Sequence, residues 1–326
     1  MRHCSADRVA SVGPGRSEMI ELQDIAYVRS GVTDLQRATR FAVDIVGLDP
    51  VAEDHDVTYL RADARHHCLA LIESNRPGVL ASAFSLRDDA ALESAEVELQ
   101  QYGCTVTRGS EQEARHRHVR NFIAFDDPFG NHVELVTGQS TLARPINFGR
   151  PAAGIAEFGH LCLDAPDVRA AHAFWSTVFS AKVSDWIGDG ACLMRIDPVH
   201  HKLAFFQNDA GPGFCHINFQ VGTLDDVMRN WRFLQQNGVQ ILHGPGRHPT
   251  STAIFIYFLG PDNLTYEYSF GVQLIDDEAW TPRMFDLAEP GSIDMWLGPT
   301  QRTVSQPQLA ARSTAPHSVA APELGV

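Results

Sequence analysis

The sequence predicts an α+β protein of four tandem βαβββ modules, forming two similar domains that are each a curved mixed sheet enclosing a cavity. Strand-like apolar runs alternate with single amphipathic helical stretches in a repeated order along the 326 residues. Notable side chains also recur at matched intervals. Tyr27 and Glu134 are 107 residues apart, and His160 and Glu267 have the same spacing. Such matched spacing indicates a duplicated unit.

Composition limits the class of protein. A hydrophobic fraction of 44% fits a globular chain long enough for two domains. We expect no membrane span, since no run approaches 18 apolar residues, and no signal peptide, since the N-terminus lacks an apolar core. The formal net charge of -14 argues against a nucleic-acid partner. The six cysteines form no CxxC pair, which excludes zinc ribbons and makes a reducing cytoplasm the simplest setting.

The first half contains the first two modules. Their helices are predicted at residues 34–48, with Asp34 as N-cap, and at residues 89–103, which end at Gly103. The accompanying strands are predicted at residues 25–32, 57–62, 66–73, 82–89, 105–109, 119–128 and 131–138.

The second half repeats this plan. Its helices are predicted at residues 167–181 and 224–238, and Gly238 takes the role of Gly103. Its strands are predicted at residues 158–165, 191–197, 201–207, 215–221, 239–244, 253–260 and 264–270. The predicted domain bounds are a loose N-terminal tail at 1–19, a metal-free domain at 20–140, a catalytic domain at 155–290 and a disordered C-terminal tail at 300–326.

Three polar residues lie inside strands of the second half that otherwise look buried. His160 and His216 open modules three and four, and Glu267 closes module four. A buried imidazole or carboxylate is costly unless it is paired or binds a metal. Two imidazoles and one carboxylate are the set that binds Fe(II) on one face and leaves other positions open. A lone histidine in a strand is more often structural, but three residues at equivalent points of repeated modules favour a metal site.

The first half lacks this set of ligands. Tyr27 and Ala83 stand where the second half has its two histidines, so Glu134 is predicted to be a structural remnant. The pair His66-His67 echoes the pair His200-His201. A single metal site in the second half is therefore predicted.

These residues resemble the vicinal oxygen chelate superfamily, and within it the two-domain, type I extradiol ring-cleaving dioxygenases of the dihydroxybiphenyl or catechol 2,3-dioxygenase kind. The resemblance covers about residues 20–290 and is most specific in residues 159–270. It implies that His160, His216 and Glu267 bind Fe(II), or alternatively Mn(II). It further implies O2 as co-substrate, a small aromatic diol as substrate, a role in aromatic catabolism and a homo-oligomer.

The resemblance also implies roles beside the metal. His201 matches the second histidine of the family's His-His pair, and it is expected to act as a base early and as an acid when the O–O bond breaks. Tyr257 is expected to hydrogen-bond the catecholate oxygen. His248 is expected to support the substrate oxygen or the proton path. The expected product is a muconic semialdehyde-type compound that carries both oxygen atoms of O2.

Other predicted substrate contacts depend on fewer signals. Cys162 lies two residues after His160 on the same strand face, which favours a place in the pocket wall, although an inert buried thiol is equally open. Thr250 is a predicted substrate contact in a stretch, Pro249, Thr250 and Ser251, where biphenyl-type members commonly carry an Asn and an Asp. Gly260 and Asn263 also depart from the family pattern. The substrate ring, monocyclic or biaryl, therefore stays open.

Three further histidines, His200, His116 and His118, are not assigned to the site. His200 is expected to face away from its neighbour His201. The charged run at residues 111–121, which includes His116 and His118, is predicted to be a solvated strand or loop.

Two other functions compete with the dioxygenase. A glyoxalase-type isomerase or lyase on this scaffold takes its metal ligands from both halves or from two subunits. A non-catalytic binding protein needs no intact set of ligands. Loss of ligands from one half and their retention in the other favour the dioxygenase.

Overall fold

The computed structural model describes residues 19–54 and 56–300. The tails predicted at 1–19 and 300–326 lie outside the described residues, apart from Met19 and Thr300. The described chain forms two mixed β-sheets with helices packed against them. Within these residues, none of the helices has the length and apolar character needed to cross a membrane.

The first half forms an eight-stranded sheet. Its strands are β1 (Asp24–Val32), β2 (Asp49–Asp54), β3 (Val57–Arg61), β4 (Leu69–Glu73), β5 (Gly78–Ser85), β6 (Thr107–Arg108), β7 (Asn121–Asp126) and β8 (His132–Thr137). Its helices are α1 (Leu35–Arg40), continued by a π-helical stretch (Phe41–Val46), α2 (Asp89–Gln101) and α3 (Glu111–His116).

The second half forms a nine-stranded sheet. Its strands are β9 (Ile155–Ala165), β10 (Lys182–Ile187), β11 (Ala191–Arg195), β12 (Leu203–Gln207), β13 (Gly213–Val221), β14 (Ile241–Arg247), β15 (Ile254–Leu259), β16 (Thr265–Phe270) and β17 (Arg283–Phe285). Its helices are α4 (Val168–Val178) and α5 (Leu224–Gln236), and short 3-10 turns occur at Pro151–Ala153, Pro261–Asn263 and Pro290–Ser292.

Strand order confirms the duplication. The first sheet runs β2-β3-β4-β1-β5-β8-β7-β6, and the second runs β10-β11-β12-β9-β13-β16-β15-β14, with β17 added beside β10. In both halves the opening strands of the two modules pair antiparallel at the centre of the sheet. The two modules of each half therefore join edge to edge, and the predicted architecture of four βαβββ modules is confirmed.

Local helix signals also hold. The Asp34 carboxylate accepts a hydrogen bond from the Arg37 amide, as an N-cap does. Gly103 and Gly238 follow α2 and α5 with φ of 83° and 64°, which only glycine adopts at no steric cost.

For the charged run at residues 111–121, the prediction of a solvated strand or loop is only partly right. The first part of the run is the helix α3, started by a capping box between Ser110 and Glu113. This Ser-x-x-Glu pattern is a helix-start signal that the sequence contained. His118 is half-buried, and its ring stacks on His66 with 3.5 Å between centroids.

The apolar core is continuous between the two halves. Trp175 of α4 is fully buried and packs against Phe84 of β5, with ring centroids 5.5 Å apart. The Tyr268 hydroxyl of β16 donates to the Val46 carbonyl at 2.7 Å. The second half is thus supported by the first, although each half has its own sheet.

Candidate metal centre

Three neighbouring strands bring the predicted ligands together. His160 lies on β9, His216 on the antiparallel neighbour β13, and Glu267 on β16, which pairs parallel with β13. All three side chains are buried, with 5%, 4% and 0% of their surface exposed. Each lies in an apolar strand that packs on the core, so the backbone fixes their positions.

The three donor atoms form a nearly equilateral triangle. His160 Nε2 is 3.0 Å from His216 Nε2, and Glu267 Oε2 is 2.9 Å from the former and 3.2 Å from the latter. Ligand atoms about 2.1 Å from a metal and at right angles to one another are separated by about 3.0 Å. The triangle therefore has the dimensions of one face of an octahedron around a metal ion.

The pKa values of His160 and Glu267 also favour the binding of a cation. Burial lowers the pKa of His160, so this imidazole is neutral and can donate a lone pair. Burial acts to raise the pKa of Glu267, but His160, His216 and His248 outweigh it and hold that pKa well below its ordinary range. Both carboxylate oxygens are buried and accept no hydrogen bond of good geometry. An ionised carboxylate without hydrogen bonds, beside two facing imidazole nitrogens, is expensive unless a cation binds there.

Cys162 offers a fourth donor atom. Its thiol lies 3.2 Å from His216 Nε2, and its sulfur and one nitrogen of each of His160 and His216 lie within 4.8 Å of one another. Burial raises the pKa of this thiol well above its ordinary value, whereas a metal binds the thiolate. Glu267 is already charged and closes the tighter triangle, so it is the better third ligand.

A cavity opens beside the triangle. It holds about 660 Å³ of empty space, counting its open mouth. One part of its wall is apolar and consists of Ile187, Leu193, Phe206 and Ile293. The other part carries Cys162, His201, Cys215, His216, His243, His248, Thr250 and Tyr257. The predicted substrate contacts therefore line one cavity, and their roles stay predictions.

His248 and Tyr257 form a hydrogen-bonded pair in this wall. His248 Nδ1 lies 2.7 Å from the Ile293 carbonyl, which can only accept, so Nδ1 carries the proton. When the ring is neutral, its Nε2 accepts from the Tyr257 hydroxyl at 3.1 Å. Burial raises the pKa of Tyr257 well above its usual value, so the phenol remains a donor.

His201 also lines the cavity and lies next to His160. Its ring centroid is 4.3 Å from that of His160, and burial lowers its pKa well below the ordinary value. Its Nδ1 is 3.0 Å from His200 Nδ1. His200 is fully buried, and its Nε2 is 2.8 Å from a carboxylate oxygen of Asp185.

The corresponding place in the first half holds an ion pair. Arg117 donates to Glu134 Oε1 through Nε and Nη2, at 2.9 and 2.7 Å. The Tyr27 hydroxyl donates to Glu134 Oε2 at 2.7 Å. The Arg117 guanidinium and the Tyr27 phenol thus satisfy the hydrogen-bonding capacity of the Glu134 carboxylate. Its counterpart in the second half, Glu267, accepts no hydrogen bond of good geometry. Glu134 is a buried structural group, consistent with its interpretation as a remnant.

Several residues that contact these buried side chains are not among the predicted site residues. Arg117 lies in the charged run at residues 111–121, whose composition indicates a solvated segment. Arg283, whose Nη2 donates to Asp185 Oδ2 at 2.6 Å, follows a stretch without strong periodicity. Asp185 precedes Trp186 and Ile187 in the buried part of β10, and a polar residue in a buried strand is the signal that identifies His160. Ile293 has no such signal, because its place in the cavity depends on the path of the chain after β16.

Comparison with known proteins gives the family. The model of the Glyoxalase/Bleomycin resistance protein/Dioxygenase superfamily matches residues 24–135 and 157–268. The chain therefore belongs to this superfamily, and the two matches correspond to the two sheets. The predicted resemblance is confirmed.

Two relatives of known name within this superfamily are similar to the chain in sequence. The chain is 27% identical over 269 residues to a 1,2-dihydroxynaphthalene dioxygenase of Sphingobium xenophagum, covering 78% of this chain and 90% of the relative. It is 22% identical over 299 residues to an iron-dependent extradiol dioxygenase of Rhodococcus jostii, covering 85% and 97%. These relatives support the prediction of an enzyme.

Solved structures share the fold. The homoprotocatechuate 2,3-dioxygenase of Brevibacterium fuscum, in complex with 3,4-dihydroxyphenylacetate, superposes with a TM-score of 0.81 at 23% identity. The match covers 89% of this chain and 93% of that chain. The two-domain architecture is therefore confirmed by an independent structure.

Proposed function

We propose that this protein is an extradiol dioxygenase that opens the ring of a catechol-type diol with O2 and uses Fe(II) bound by His160, His216 and Glu267. The observation that carries the proposal is the triangle of donor atoms, no more than 3.2 Å apart, beside a cavity lined by His201 and Tyr257. The named dioxygenase relatives support the reaction class. Mn(II) is the alternative metal.

The metal, when bound, supplies an open face on which a diol and O2 can meet. The protein's own groups manage protons around it. Neutral His201 can accept a proton from the bound diol and later return it to the oxygen that leaves the O–O bond. The Tyr257 hydroxyl donates to His248 in this structure, and it can donate instead to a deprotonated oxygen of the diol substrate. His248, fixed by the Ile293 carbonyl, supports that exchange.

The wall of the cavity favours an uncharged substrate. Ile187, Leu193, Phe206 and Ile293 face the space beside the metal centre, and none of the described residues that line it is Lys or Arg. A carboxylate on the ring would be buried without a cation, at a cost of several kcal/mol. The proposed substrates are therefore catechols with alkyl or aryl substituents, and the proposed products are semialdehydes of the muconic type.

The competing functions have less support. A glyoxalase-type isomerase or lyase with ligands from both halves would use Glu134, the counterpart of Glu267, but Arg117 and Tyr27 already bind its carboxylate. A binding protein without catalysis does not explain the Glu267 carboxylate, whose buried oxygens accept no hydrogen bond.

The test is a turnover experiment on anaerobically prepared protein. Samples loaded with Fe(II) or Mn(II) receive air-saturated buffer and one of three diols: 3-methylcatechol, 2,3-dihydroxybiphenyl or 3,4-dihydroxybenzoate. The first two should consume one O2 per ring and give a yellow ring-opened product, and the third should have a kcat/KM lower by at least about 100-fold, or about 2.7 kcal/mol. Absence of O2 uptake and of coloured product with every diol and both metals would overturn the proposal.

A further inference from the structure

We propose that Asp185, acting through His200, fixes the tautomer of His201 so that the proton of His201 is on Nδ1 and its Nε2 is free to accept one. Asp185 and His200 are then positioning residues, since neither touches the cavity. The catalytic consequence rests on the proposed function, whereas the tautomers can be observed without any activity.

The tautomers follow from the chain of contacts. An ionised carboxylate only accepts, so the 2.8 Å contact between Asp185 Oδ2 and His200 Nε2 places a proton on that nitrogen. In the neutral ring of His200, Nδ1 is then an acceptor. At 3.0 Å from it, His201 Nδ1 must donate. In neutral His201 the remaining nitrogen, Nε2, carries a lone pair.

Asp185 is held so that it stays ionised and cannot rotate. It is fully buried. Arg283 of β17 donates to its Oδ1 from the backbone amide at 2.9 Å and from Nε at 3.0 Å, and to its Oδ2 from Nη2 at 2.6 Å. Burial acts to raise the pKa of Asp185, but His200 and Arg283 outweigh it and lower that pKa below its ordinary value. The same guanidinium donates to the Thr250 carbonyl at 2.5 Å, next to the cavity.

The first half provides an internal comparison. His66 Nδ1 and His67 Nδ1 make the same contact there, at 3.2 Å. Among the described residues, however, no carboxylate hydrogen-bonds His66, whose ring stacks on His118 instead. The contact between two neighbouring histidines is thus common to both halves. The carboxylate that decides which histidine donates, Asp185, is found in the second half, which also contains the proposed metal ligands.

The substitution Asp185→Asn makes a sharp prediction. The amide oxygen should take the place of Oδ1, because the backbone amide and Nε of Arg283 both donate there, while Nη2 keeps its bond to the Thr250 carbonyl. The NH2 group then faces His200 Nε2 in the place of Oδ2. That nitrogen must then accept, so the proton of His200 moves to Nδ1 and points at His201 Nδ1. His201 in turn must carry its proton on Nε2, on which it can no longer accept one. A change of carboxylate to amide acts in this way on the histidine of a serine-protease triad.

The first measurement is ¹⁵N NMR of the histidine ring nitrogens in metal-free protein. We expect Nε2–H on His200 and Nδ1–H on His201 in the natural sequence, and both assignments reversed in Asp185→Asn. Assignment can use His200→Gln and His201→Gln. Either histidine in the opposite tautomer in the natural sequence overturns the proposal, even if no variant folds.

The second measurement is steady-state kinetics of the Fe(II)-loaded enzyme. In Asp185→Asn, kcat should fall by at least about 100-fold, the range of general acid–base catalysis, with KM within about threefold. Asp127→Asn is the matched control. Asp127 is as buried as Asp185, but it accepts a hydrogen bond from the Asn131 side chain and does not line the cavity. This variant should leave both the tautomers and kcat unchanged. Retention of kcat in Asp185→Asn overturns the proposal. An inactive natural enzyme with the expected tautomers contradicts only the proposed function.

Discussion

At the scale of single residues, the two halves hold equivalent carboxylates in different ways. Arg117 and Tyr27 donate hydrogen bonds to Glu134, whereas Glu267 is buried beside the imidazoles of His160 and His216 and accepts no hydrogen bond of good geometry. A buried carboxylate needs a positive partner. The carboxylate of the first copy therefore has a permanent guanidinium partner, whereas no lysine or arginine side chain among the described residues pairs with Glu267.

The first prediction concerns metal content. Glu267→Gln removes the only charged ligand, so the folded protein should fall from about one Fe(II) per chain to below about a tenth. The matched substitution Glu134→Gln should leave that content unchanged. The measurement is elemental analysis after anaerobic loading and gel filtration. Equal metal content in the two variants would contradict the ligand assignment.

The second prediction concerns the ion pair of the first half. Arg117→Met leaves the fully buried Glu134 without its cation, which should lower the free energy of unfolding by about 3–5 kcal/mol. The double variant with Glu134→Gln should recover most of this loss, because Tyr27 can still donate to the amide oxygen. Urea unfolding of both single variants and the double variant gives the coupling energy. Losses that simply add would show that the pair contributes no coupling.

At the scale of elements, the C-terminal segment, residues 271–298, completes the cavity. It leaves β16, adds β17 at the far edge of the sheet, and returns to place Ile293 in the cavity wall. The Asp294 carboxylate holds this segment in place, because it accepts hydrogen bonds from the backbone amides of Arg247, Trp296 and Gly298 at 2.7–2.9 Å. The segment contains little regular structure, so side-chain contacts determine its path.

The third prediction follows from these hydrogen bonds. Asp294→Ala removes three charge-assisted hydrogen bonds, so residues 290–298 should exchange amide hydrogens faster and kcat/KM should fall by about tenfold, mainly through KM. Asp286→Ala is the control, because Asp286 is exposed in the same segment. Exchange mass spectrometry and steady-state kinetics provide the two readouts. Unchanged exchange in Asp294→Ala would refute the role of this carboxylate.

At the scale of the whole molecule, the two halves have one core. Trp175 packs on Phe84, and Asn131 Nδ2 donates to the Asp164 carbonyl at 3.1 Å. Shared burial makes the unfolding of one half costly for the other. The first half therefore stabilises the half that contains the triangle of donor atoms.

The fourth prediction is a single unfolding transition. All five tryptophans belong to the second half, and Trp175 alone is described in contact with Phe84 of the first half, so their fluorescence reports mainly on the second half. Pulse labelling of the buried Cys68 thiol, located by peptide mass spectrometry, reports on the first half. Urea midpoints from the two probes should coincide in metal-free protein. Exposure of Cys68 at clearly lower urea would show that the halves unfold separately.

Much of this protein can be predicted from its sequence because the signals are local or repeated. Helix caps such as Asp34 act within one turn, and the interval between Tyr27 and Glu134 recurs between His160 and Glu267. Apolar strands interrupted by histidine or glutamate indicated the residues that now lie in one triangle. The capping box of Ser110 and Glu113 also predicts the start of the α3 helix. The high charge of the segment, however, favours a solvated loop.

What the sequence alone determined is the duplicated modular fold, the family and the residues that form the triangle, since each depends on spacing along the chain. The tertiary structure decided which distant groups meet: Arg117 with Glu134, Arg283 with Asp185, and Ile293 with His248. These contacts join segments brought together by strand order and by the path of the C-terminal segment. The physical reason is that partners for buried charges are set by distance in space, and no local periodicity records that distance.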